Sequence, residues 1–411
     1  MKILLVFVLP LYLFSQSVSL KTLITHTGKH NELIEAKEIN IKSKEQEVEA
    51  AKSAYWPTFD IGASHSYVSP NSIVSPGQVS SAYAALSVDL YDGGRKDALL
   101  RGKDFELEAS HFEKVAFEKS ITLEIVRHYY GIQKLKATLA ALIERSLELK
   151  EQIKRVQKFI VAELATQEEV DKLQSVYDNN NYTIENTKLS IVTSEENLQL
   201  LSGLSAKHLK RNHFLEPKNI HFEVFENTKI LQSNANAVGE ASHAIDAGYK
   251  PQVNLSDTYN KSHYDDTITG GDSFLIDNQN KLMISVNMRI FDNGRMDRES
   301  EAVKYQKLAL QSQIAYAKKE QRMNFRLSNK SLQTTRTKLK SANSALRAAK
   351  STYSVLKQKF EVGLVDNIAF LDALSQKTLA QARYKNTIYD YEIGKSIYYY
   401  YAGKDPKEYI R

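Results

Sequence analysis

Cysteine is absent from the 411-residue sequence, and glycine and proline are scarce, with 16 and 7 residues. The absence of cysteine excludes disulfides and also the thiol that a bacterial lipoprotein anchor requires, so we expect no lipid at a cysteine. Few glycines and prolines leave few breaks, so the elements should be long. The net charge is only +6, its lysines and glutamates are interspersed, and no base-reading motif is present, so we expect no nucleic-acid partner.

The sequence also lacks the residue patterns of an enzyme, a metal site or a cofactor site. Its 10 histidines are scattered, without the His-Glu-x-x-His spacing of a zinc protease. Gly102-Lys103-Asp104 lacks the upstream glycine and the following hydroxyl residue of a phosphate-binding loop. Neither a nucleophile with a base nor a dinucleotide fingerprint is recognisable. We therefore expect no catalytic residues, no metal and no cofactor.

The first residues predict export. Lys2 precedes an apolar run over residues 3–14, and small and polar residues follow, which is the order of a secretory signal. The run is too short to span a bilayer comfortably, so we predict a signal peptide at 1–19 that is cleaved near Ser17 or Ser19. No later stretch of about 20 residues is apolar enough to cross a membrane as a helix.

One pattern occurs twice in the sequence, about 200 residues apart. A Tyr-x-Pro triplet at 55–57 recurs at 249–251, and a (Tyr/Phe)-Asp-x-Gly-Arg motif at 91–95 recurs at 291–295. Such a duplication predicts two structural repeats, each built from the same elements. The predicted domains are a first repeat (20–203), a linker (204–226), a second repeat (227–403) and a short C-terminal tail (404–411).

Each repeat should begin with a helix and two strands. Residues 20–53, rich in Lys and Glu with apolar residues one heptad apart, predict a single helix. Alternating apolar and polar residues then predict one hairpin within 59–90 and another within 253–290, the second with a polar loop at 265–280. Strands of about 10 residues can cross a membrane when tilted, but four strands cannot close a barrel. If they span a membrane, several chains must pool their strands.

A helical period follows each hairpin, from 95 to about 160 and from 295 to about 361. At 1.5 Å per residue each helix would be roughly 100 Å long. Breaks at 162–167 and 363–367 precede return helices, so each long helix should form a helical hairpin with an exposed tip. Apolar residues at alternating spacings of three and four predict a coiled-coil seam. The seam residues are Leu139, Leu142, Ser146, Leu149, Ile153, Val156 and Ile160, with Leu339, Ala342, Leu346, Ala349, Tyr353, Leu356 and Phe360 as their counterparts.

The strand-to-helix junctions and the hairpin tips are the candidate sites. The junction motifs fit sharp turns in which an aspartate caps the helix, and the arginines could pair with a neighbouring chain or be solvated. At the second tip, Gly363 suits the left-handed end of one helix and Asp366 suits the cap of the next. That tip is either an ordinary helical turn or the place where a partner binds. The junction residues are Asp92, Gly94 and Arg95, repeated as Asp292, Gly294 and Arg295.

The order of these motifs resembles that of the TolC-like outer membrane efflux proteins over essentially the whole mature length. The resemblance also rests on Val362-Gly363, on the segment 371–374 (Leu-Asp-Ala-Leu) and on the segment 379–384 (Leu-Ala-Gln-Ala-Arg-Tyr). It implies a mainly α fold with a small membrane β part. Three chains would form a homotrimer with a twelve-stranded β-barrel in the lipid of the bacterial outer membrane, continuing as a long α-helical tunnel into the periplasm.

The resemblance also implies partners. The tunnel would meet a periplasmic adaptor protein that links it to an inner membrane transporter, and it would export small molecules or proteins. The adaptor contact would lie at the tip residues Gly363, Leu364, Val365, Ala162 and Leu164. The competing class is an exported coiled-coil structural protein or a periplasmic adaptor without a channel. An adaptor should show a compact β-barrel or lipoyl-like domain beside one hairpin.

Three aspartates, Asp171, Asp366 and Asp372, are candidates for the periplasmic aperture of such a tunnel. Family members carry an arginine and an additional aspartate where this chain has Val365 and Ala369, so the resemblance transfers only Asp372. A ring of carboxylates at a narrow mouth would favour cations. The alternative is that Asp372 pairs with a nearby lysine such as Lys377.

Overall fold

The computed structural model describes residues 17–218, 220–267 and 275–411. Most of the predicted signal peptide at 1–19 and part of the predicted loop at 265–280 lie outside these ranges. No helix in the described ranges is long and apolar enough to cross a membrane. The fold is mainly α with a small β part, as predicted. Its elements are α1 (Leu20–His30), α2 (Glu32–Ser53), β1 (Thr58–Tyr67), β2 (Gln78–Tyr91), α3 (Arg95–Val161), α4 (Gln167–Ser202), α5 (Glu226–Asp246), β3 (Gln252–Asp265), β4 (Asn278–Asn287), α6 (Arg295–Glu361) and α7 (Asn367–Tyr401).

The chain folds into two compact units, and each unit draws on both predicted repeats. Of the described residues, unit 1 comprises 17–36, 115–218, 220–225 and 319–411, and unit 2 comprises 37–114, 226–267 and 275–318. The repeats therefore divide the chain in sequence, whereas the units divide it in space.

Unit 2 contains an antiparallel sheet with the strand order β1-β2-β3-β4. The edge strands β1 and β4 have 10 residues each, and the central strands β2 and β3 have 14 each. Large apolar side chains on the edge strands are exposed, among them Phe59, Ile61, Ile284 and Val286. No strand in the described ranges pairs with the outer edges of β1 and β4. A sheet with such edges and exposed apolar residues requires further protein or lipid to cover it.

The single helix predicted over 20–53 is wrong, because the helix is interrupted at Asn31. This residue has extended backbone angles (φ −87°, ψ 122°). Its amide nitrogen donates to the carbonyl of Leu201 at 2.9 Å, and its side-chain oxygen accepts from the backbone N–H of Leu33 at 3.0 Å. Asparagine thus caps α2 while it satisfies a carbonyl at the end of α4. Heptad spacing could not reveal a break that depends on a partner 170 positions away.

The long helices agree closely with their predicted bounds. Both α3 and α6 have 67 residues, and their return helices α4 and α7 have 36 and 35. The apolar seam residues that lie in unit 1 are buried or half-buried, with Leu149 fully buried and Val156 nearly so. Burial of one apolar stripe, with charged residues elsewhere, is sufficient to keep helices of this length packed together.

The predicted linker at 204–226 contributes to the core of unit 1, to which its described residues up to Phe225 belong. Phe214 is buried and pairs through its backbone with Ile410, and Leu209 pairs with Val18. The pairing of Val18 favours cleavage of the predicted signal near Ser17, so that Val18 and Ser19 belong to the folded chain. The ring of Tyr409 stacks on that of Tyr399, with centroids 3.8 Å apart. The linker is irregular in backbone but is held on both sides by packed segments.

A buried ion pair fixes the same segment. Lys395 Nζ lies 2.8 Å from the carboxylate of Glu392 and donates to the carbonyl of Phe214 at 2.7 Å. The Glu392 carboxylate accepts from the backbone N–H of Phe214 at 2.7 Å. Both charges are therefore compensated by hydrogen bonds, which a buried ion pair requires.

Candidate functional site

The short loop that connects α3 to α4 in unit 1 ends α3 with a Schellman motif. The N–H of Leu164 donates to the carbonyl of Phe159 at 2.8 Å, and the N–H of Glu163 donates to that of Ile160 at 2.9 Å. These two bonds require a left-handed residue after the helix. Glu163 fills this position with φ 58° although it is not glycine.

The short loop that connects α6 to α7 has the same two hydrogen bonds. The N–H of Leu364 donates to the carbonyl of Lys359 at 2.8 Å, and the N–H of Gly363 donates to that of Phe360 at 3.1 Å. Gly363 has φ 75°. The carboxylate of Asp366 then caps α7 by accepting from the N–H of Ala369 at 2.9 Å. We call the two turns, residues 162–166 and 362–366, the tips.

Contacts between the two helical hairpins place the tips side by side. The guanidinium of Arg155 on α3 donates to the carbonyl of Glu361 at 2.8 Å and lies 3.5 Å from its carboxylate. The amide of Asn367, at the start of α7, donates to the carbonyl of Glu169 at 3.3 Å. The ends of α3 and α6 and the starts of α4 and α7 therefore lie at one end of unit 1.

A hydrophobic cluster beneath the tips joins all four helices. Phe370 is fully buried, and its ring stacks on that of Phe360 with centroids 4.8 Å apart. Burial of such a side chain is worth about 1.5 to 3 kcal/mol, so the cluster gives the tips a firm base. We call it the tip cluster; its buried members are Leu149, Ile153, Val156, Val170, Leu173, Tyr353, Phe370, Ala373 and Leu374.

A polar contact next to the tip cluster connects α3 to α7. The carboxylate of Glu144 lies 2.7 Å from Lys377 Nζ and accepts from the amide of Gln381 at 2.8 Å. The hydrogen bond from Lys377 lowers the pKa of Glu144, against the smaller raising effect of burial. Lys377 Nζ also lies 4.3 Å from the ring centroid of Tyr353. Lys377 is therefore engaged by Glu144 and Tyr353, and Asp372 makes no ion pair with it.

Exposed apolar side chains cover the tips, although the helices just below them are well packed. Leu164 is 76% exposed and Leu364 is 73% exposed. Val161, Val362 and Ile368 are exposed beside them. An apolar surface on a rigid base is typical of a protein–protein contact. Of the five predicted contact residues, Ala162, Leu164, Gly363 and Leu364 are exposed, and Val365 is half-buried.

The three predicted aperture aspartates have different surroundings. Asp366 serves as the cap of α7. Asp171 accepts from the amide of Gln167 at 2.8 Å. Asp372 is exposed, and it has no hydrogen-bond or ion-pair partner among the described residues. Of the three, Asp372 has the side chain most available to a pore or to another chain.

The first strand-to-helix turn, in unit 2, is a tightly capped structural element. The carboxylate of Asp92 accepts from the N–H groups of Gly94, Arg95 and Lys96 at 3.1, 3.0 and 2.7 Å. Gly93 has φ 75°, and a Cβ there would lie 2.6 Å from the carbonyl oxygen of Ala247. Backbone conformation and close packing therefore both require glycine at this turn.

The second strand-to-helix turn repeats this arrangement. Asp292 accepts from the N–H groups of Arg295 and Met296, both at 3.1 Å, and from the hydroxyl of Tyr249 at 2.7 Å. Gly294 has φ 73°. Arg295 lies 3.8 Å from Glu299 and is well exposed, as is Arg95.

Sequence reasoning missed Arg155, which joins the two hairpins through Glu361, and Phe370, which lies in the tip cluster that all four helices share. Phe370 follows the second tip on α7, ten positions after Phe360, and the apolar spacing of one helix alone could not show that the two rings stack. In the ranges that the structure describes, no group of three or more His, Cys, Asp or Glu side chains could hold a metal ion.

Comparison with known proteins relates this architecture to channels of the outer membrane. Residues 23–204 match the family described as outer membrane efflux protein. The outer membrane protein VceC of Vibrio cholerae is similar in structure, with a TM-score of 0.80 at 16% sequence identity over 94% of this chain and 96% of VceC. The CmeC outer membrane channel of Campylobacter jejuni has a TM-score of 0.81 at 16% identity, over 93% of this chain and 85% of CmeC.

The MtrE outer membrane channel of Neisseria gonorrhoeae gives a TM-score of 0.75 at 12% identity, over 94% of this chain and 89% of MtrE. A comparison with curated protein sequences gave no match. The likeness to these solved structures shows the fold, which is mainly helical with a small strand part, over nearly the whole chain. The family match covers 182 of the 411 residues, in the part of the chain that holds the first predicted repeat.

Proposed function

We propose that the chain forms a homotrimeric channel-tunnel that spans the bacterial outer membrane and extends into the periplasm. It would carry small molecules or proteins from an inner membrane transporter and its periplasmic adaptor to the outside. The four-stranded sheet carries this proposal. Strands β1 and β4 leave two edges unpaired, whereas a membrane accommodates strands only in a closed barrel. Three copies would supply twelve strands and close it.

Other observations support the same assignment. Whole-chain likeness in fold to outer membrane channels fits a barrel that continues into helices. The two repeats, 20–203 and 227–403, would each contribute one β-hairpin and one helical hairpin, with 204–226 packed between them as a structural segment. The absence of cysteine is consistent with a mature chain that carries no lipid at a cysteine.

We further propose that the tips bind the adaptor. The exposed apolar residues Leu164 and Leu364 lie at equivalent positions, on a surface supported by the tip cluster. An adaptor that presents a helical hairpin could pack its own apolar residues against such a surface. A charge placed there would have to be desolvated on binding, which weakens the contact.

The test replaces both leucines by aspartate, in the double variant Leu164→Asp/Leu364→Asp, and compares it with Asn186→Asp. Asn186 is an exposed residue on α4 outside the tips, so Asn186→Asp introduces an exposed aspartate in a different place, one per chain against two in the tip variant. After crosslinking in cell envelopes, wild type and Asn186→Asp should retain an adaptor protein, and the tip variant should lose it. All three proteins should remain trimers by native mass measurement.

Two results would contradict the proposal. Equal adaptor recovery with the tip variant would place the contact elsewhere on the chain. Purified trimer that forms no pores in planar lipid bilayers would favour the exported coiled-coil structural protein, which needs no channel.

A further inference from the structure

The two β-hairpins of the sheet share one register. Thr58 pairs with Ser87 in the first hairpin, and Gln252 pairs with Asn287 in the second. Equivalent residues are therefore 194 positions apart in β1 and β3, and 200 positions apart in β2 and β4. The same offsets relate the Tyr-x-Pro motifs and the Asp-x-Gly-Arg motifs. The second hairpin is thus a structural copy of the first.

The junction between the two hairpins lies within the chain, where β2 pairs with β3. In this junction Asp89 lies opposite Asn254, and the Asn254 amide donates to the Asp89 carboxylate at 2.9 Å. Applying the two offsets to this junction predicts how β4 of one copy would meet β1 of another. Adding 200 to position 89 of β2 gives Arg289, just after β4, and subtracting 194 from position 254 of β3 gives Asp60 of β1.

We propose that β4 pairs antiparallel with β1 of a second copy of the chain, with Arg289 opposite Asp60 of that copy and in an ion pair with it. The proposal rests on the proposed function, because it assumes that copies share one barrel. By the same offsets, Ser285 lies opposite Ser64 of the second copy, and Met288 lies opposite its Ile61.

Charge complementarity supports this register. Arg289 and Asp60 are both exposed, and neither has an ion-pair or hydrogen-bond partner within the ranges 17–218, 220–267 and 275–411. Their equivalents in the internal junction are satisfied, since Asp89 contacts both Asn254 and Lys96. Opposite charges that face each other across an antiparallel pair are stabilising. The edge formed by β4 therefore carries the positive partner of the ion pair, and the edge formed by β1 carries the negative partner.

The alternative registers lose this contact. A slip of one residue places Arg289 opposite Ile61 or Phe59 and turns its side chain towards the apolar face. A slip of two residues keeps the faces matched but places Arg289 opposite Gly62 or Thr58. Among these registers, only the one derived from the internal junction brings the two charges together.

Strand lengths support the same partner. Val88, Asp89 and Tyr91 extend β2 because they pair with β3, whereas the pairing of β2 with β1 stops at Ser87. Their equivalents at 288–291 follow the end of β4 at Asn287 and have no partner strand in the chain's sheet. Ile290 and Phe291 are strongly exposed there. A second copy's β1 would extend β4 as β3 extends β2.

Cysteine crosslinking tests the register. Because the natural sequence has no cysteine, disulfides can form only between the introduced residues. The variant Ser64→Cys/Ser285→Cys places thiols at directly opposed positions, where Cβ atoms are about 5 Å apart and a disulfide can form. The matched variant Ser66→Cys/Ser285→Cys shifts one thiol by two residues on the same face, to a diagonal distance of about 7 to 8 Å. After oxidation of outer membranes, the first should give covalent oligomers that persist in detergent without reductant, and the second should not.

A charge swap gives a second measurement. Arg289→Asp and Asp60→Arg should each lower the temperature at which trimers dissociate in detergent, because each places like charges opposite one another. The double variant should recover most of the loss. A double variant that dissociates at the same temperature as the worse single variant would overturn the ion pair.

The outcomes separate this inference from the proposed function. Trimers that crosslink through Ser66→Cys/Ser285→Cys instead would overturn the register and leave the channel intact. Trimers that crosslink through neither pair would likewise overturn the proposed register and its ion pair. A chain that is monomeric in detergent with its strands intact would overturn the trimer itself, and the inference with it.

Discussion

Glu163 and Gly363 occupy equivalent positions at the two tips, and only one of them is suited to its backbone. Both have positive φ, 58° for Glu163 and 75° for Gly363. A side chain in the left-handed region costs about 1 to 2 kcal/mol, which glycine avoids. Nothing lies within 4 Å of a Cβ built on Gly363, so substitution there would act through the backbone alone. At the residue scale, the first tip is strained where the second is not.

We expect Glu163→Gly to stabilise the protein by less than about 1 kcal/mol, since relief of left-handed strain exceeds the added entropy of an unfolded glycine. Gly363→Ala should destabilise the protein, because it places a side chain in the left-handed conformation. Helix melting followed by circular dichroism in detergent measures both, under one heating rate because unfolding of such assemblies is often irreversible. A lower melting midpoint for Glu163→Gly would show that its side chain makes a stabilising contact that outweighs the strain.

At the scale of elements, ion pairs hold α3 against α6 and α7 beside the tip cluster. Glu144 binds Lys377 of α7, and Glu148 binds Lys357 of α6 at 2.9 Å. The pKa of Glu144 is lowered from 4.5, chiefly by the hydrogen bond from Lys377. A carboxyl whose folded pKa is lowered stabilises the folded state above its unfolded pKa. This contribution is lost as the pH falls through the folded pKa.

We therefore expect the melting midpoint to fall with pH below about 4.5 and to fall less steeply in Glu144→Gln. Glutamine keeps the shape and can still accept from Lys377, but it does not titrate. The control Glu185→Gln alters an exposed glutamate on α4 and should leave the slope unchanged. An identical slope in wild type and Glu144→Gln would mean that other carboxylates control the acid response.

Much of the fold is predictable at this scale because long helices show a regular spacing of apolar residues in the sequence. The bounds of α3 and α6 follow from an apolar period that begins after each strand-to-helix turn and is interrupted at 162–167 and 363–367. The break at Asn31 was not predictable, because its cap depends on a carbonyl of α4. The packing of Phe214 and the stacking of Phe370 also escaped, since each needs a partner on another element.

At the scale of the whole molecule, the exposed apolar residues of the edge strands are explained by an assembly in a membrane that covers them. Val286 is 64% exposed on β4, where alternation places it on the predicted lipid face. An arginine on the lipid face of a barrel costs about 2 to 4 kcal/mol near mid-bilayer. We expect Val286→Arg to reduce the trimer recovered from outer membranes, with a much milder effect for Ser285→Arg on the opposite face. Equal yields for the two variants would argue against lipid at Val286.

The three copies of Asp372 in a trimer are expected to contribute negative charge at the periplasmic end. Rings of acidic side chains favour cations. In planar bilayers, Asp372→Ala should therefore reduce cation preference and relieve block by multivalent cations, whereas Glu185→Ala should change neither. Unchanged selectivity and block in Asp372→Ala would mean that other residues form the constriction.

The pairing of residues 409–411 with the segment 213–215 has a consequence for the order in which the core of unit 1 forms. The N–H of Leu215 donates to the carbonyl of Tyr409 at 2.8 Å, and the N–H of Arg411 donates to that of His213 at 2.9 Å. Phe214 is separated from its partner segment by nearly two hundred residues. Contacts between residues so far apart in sequence are costly to form, because the loop between them must be closed before they stabilise the fold. The core of unit 1 around Phe214 should therefore form late in folding, and removal of residues 409–411 should leave its aromatic side chains exposed to solvent.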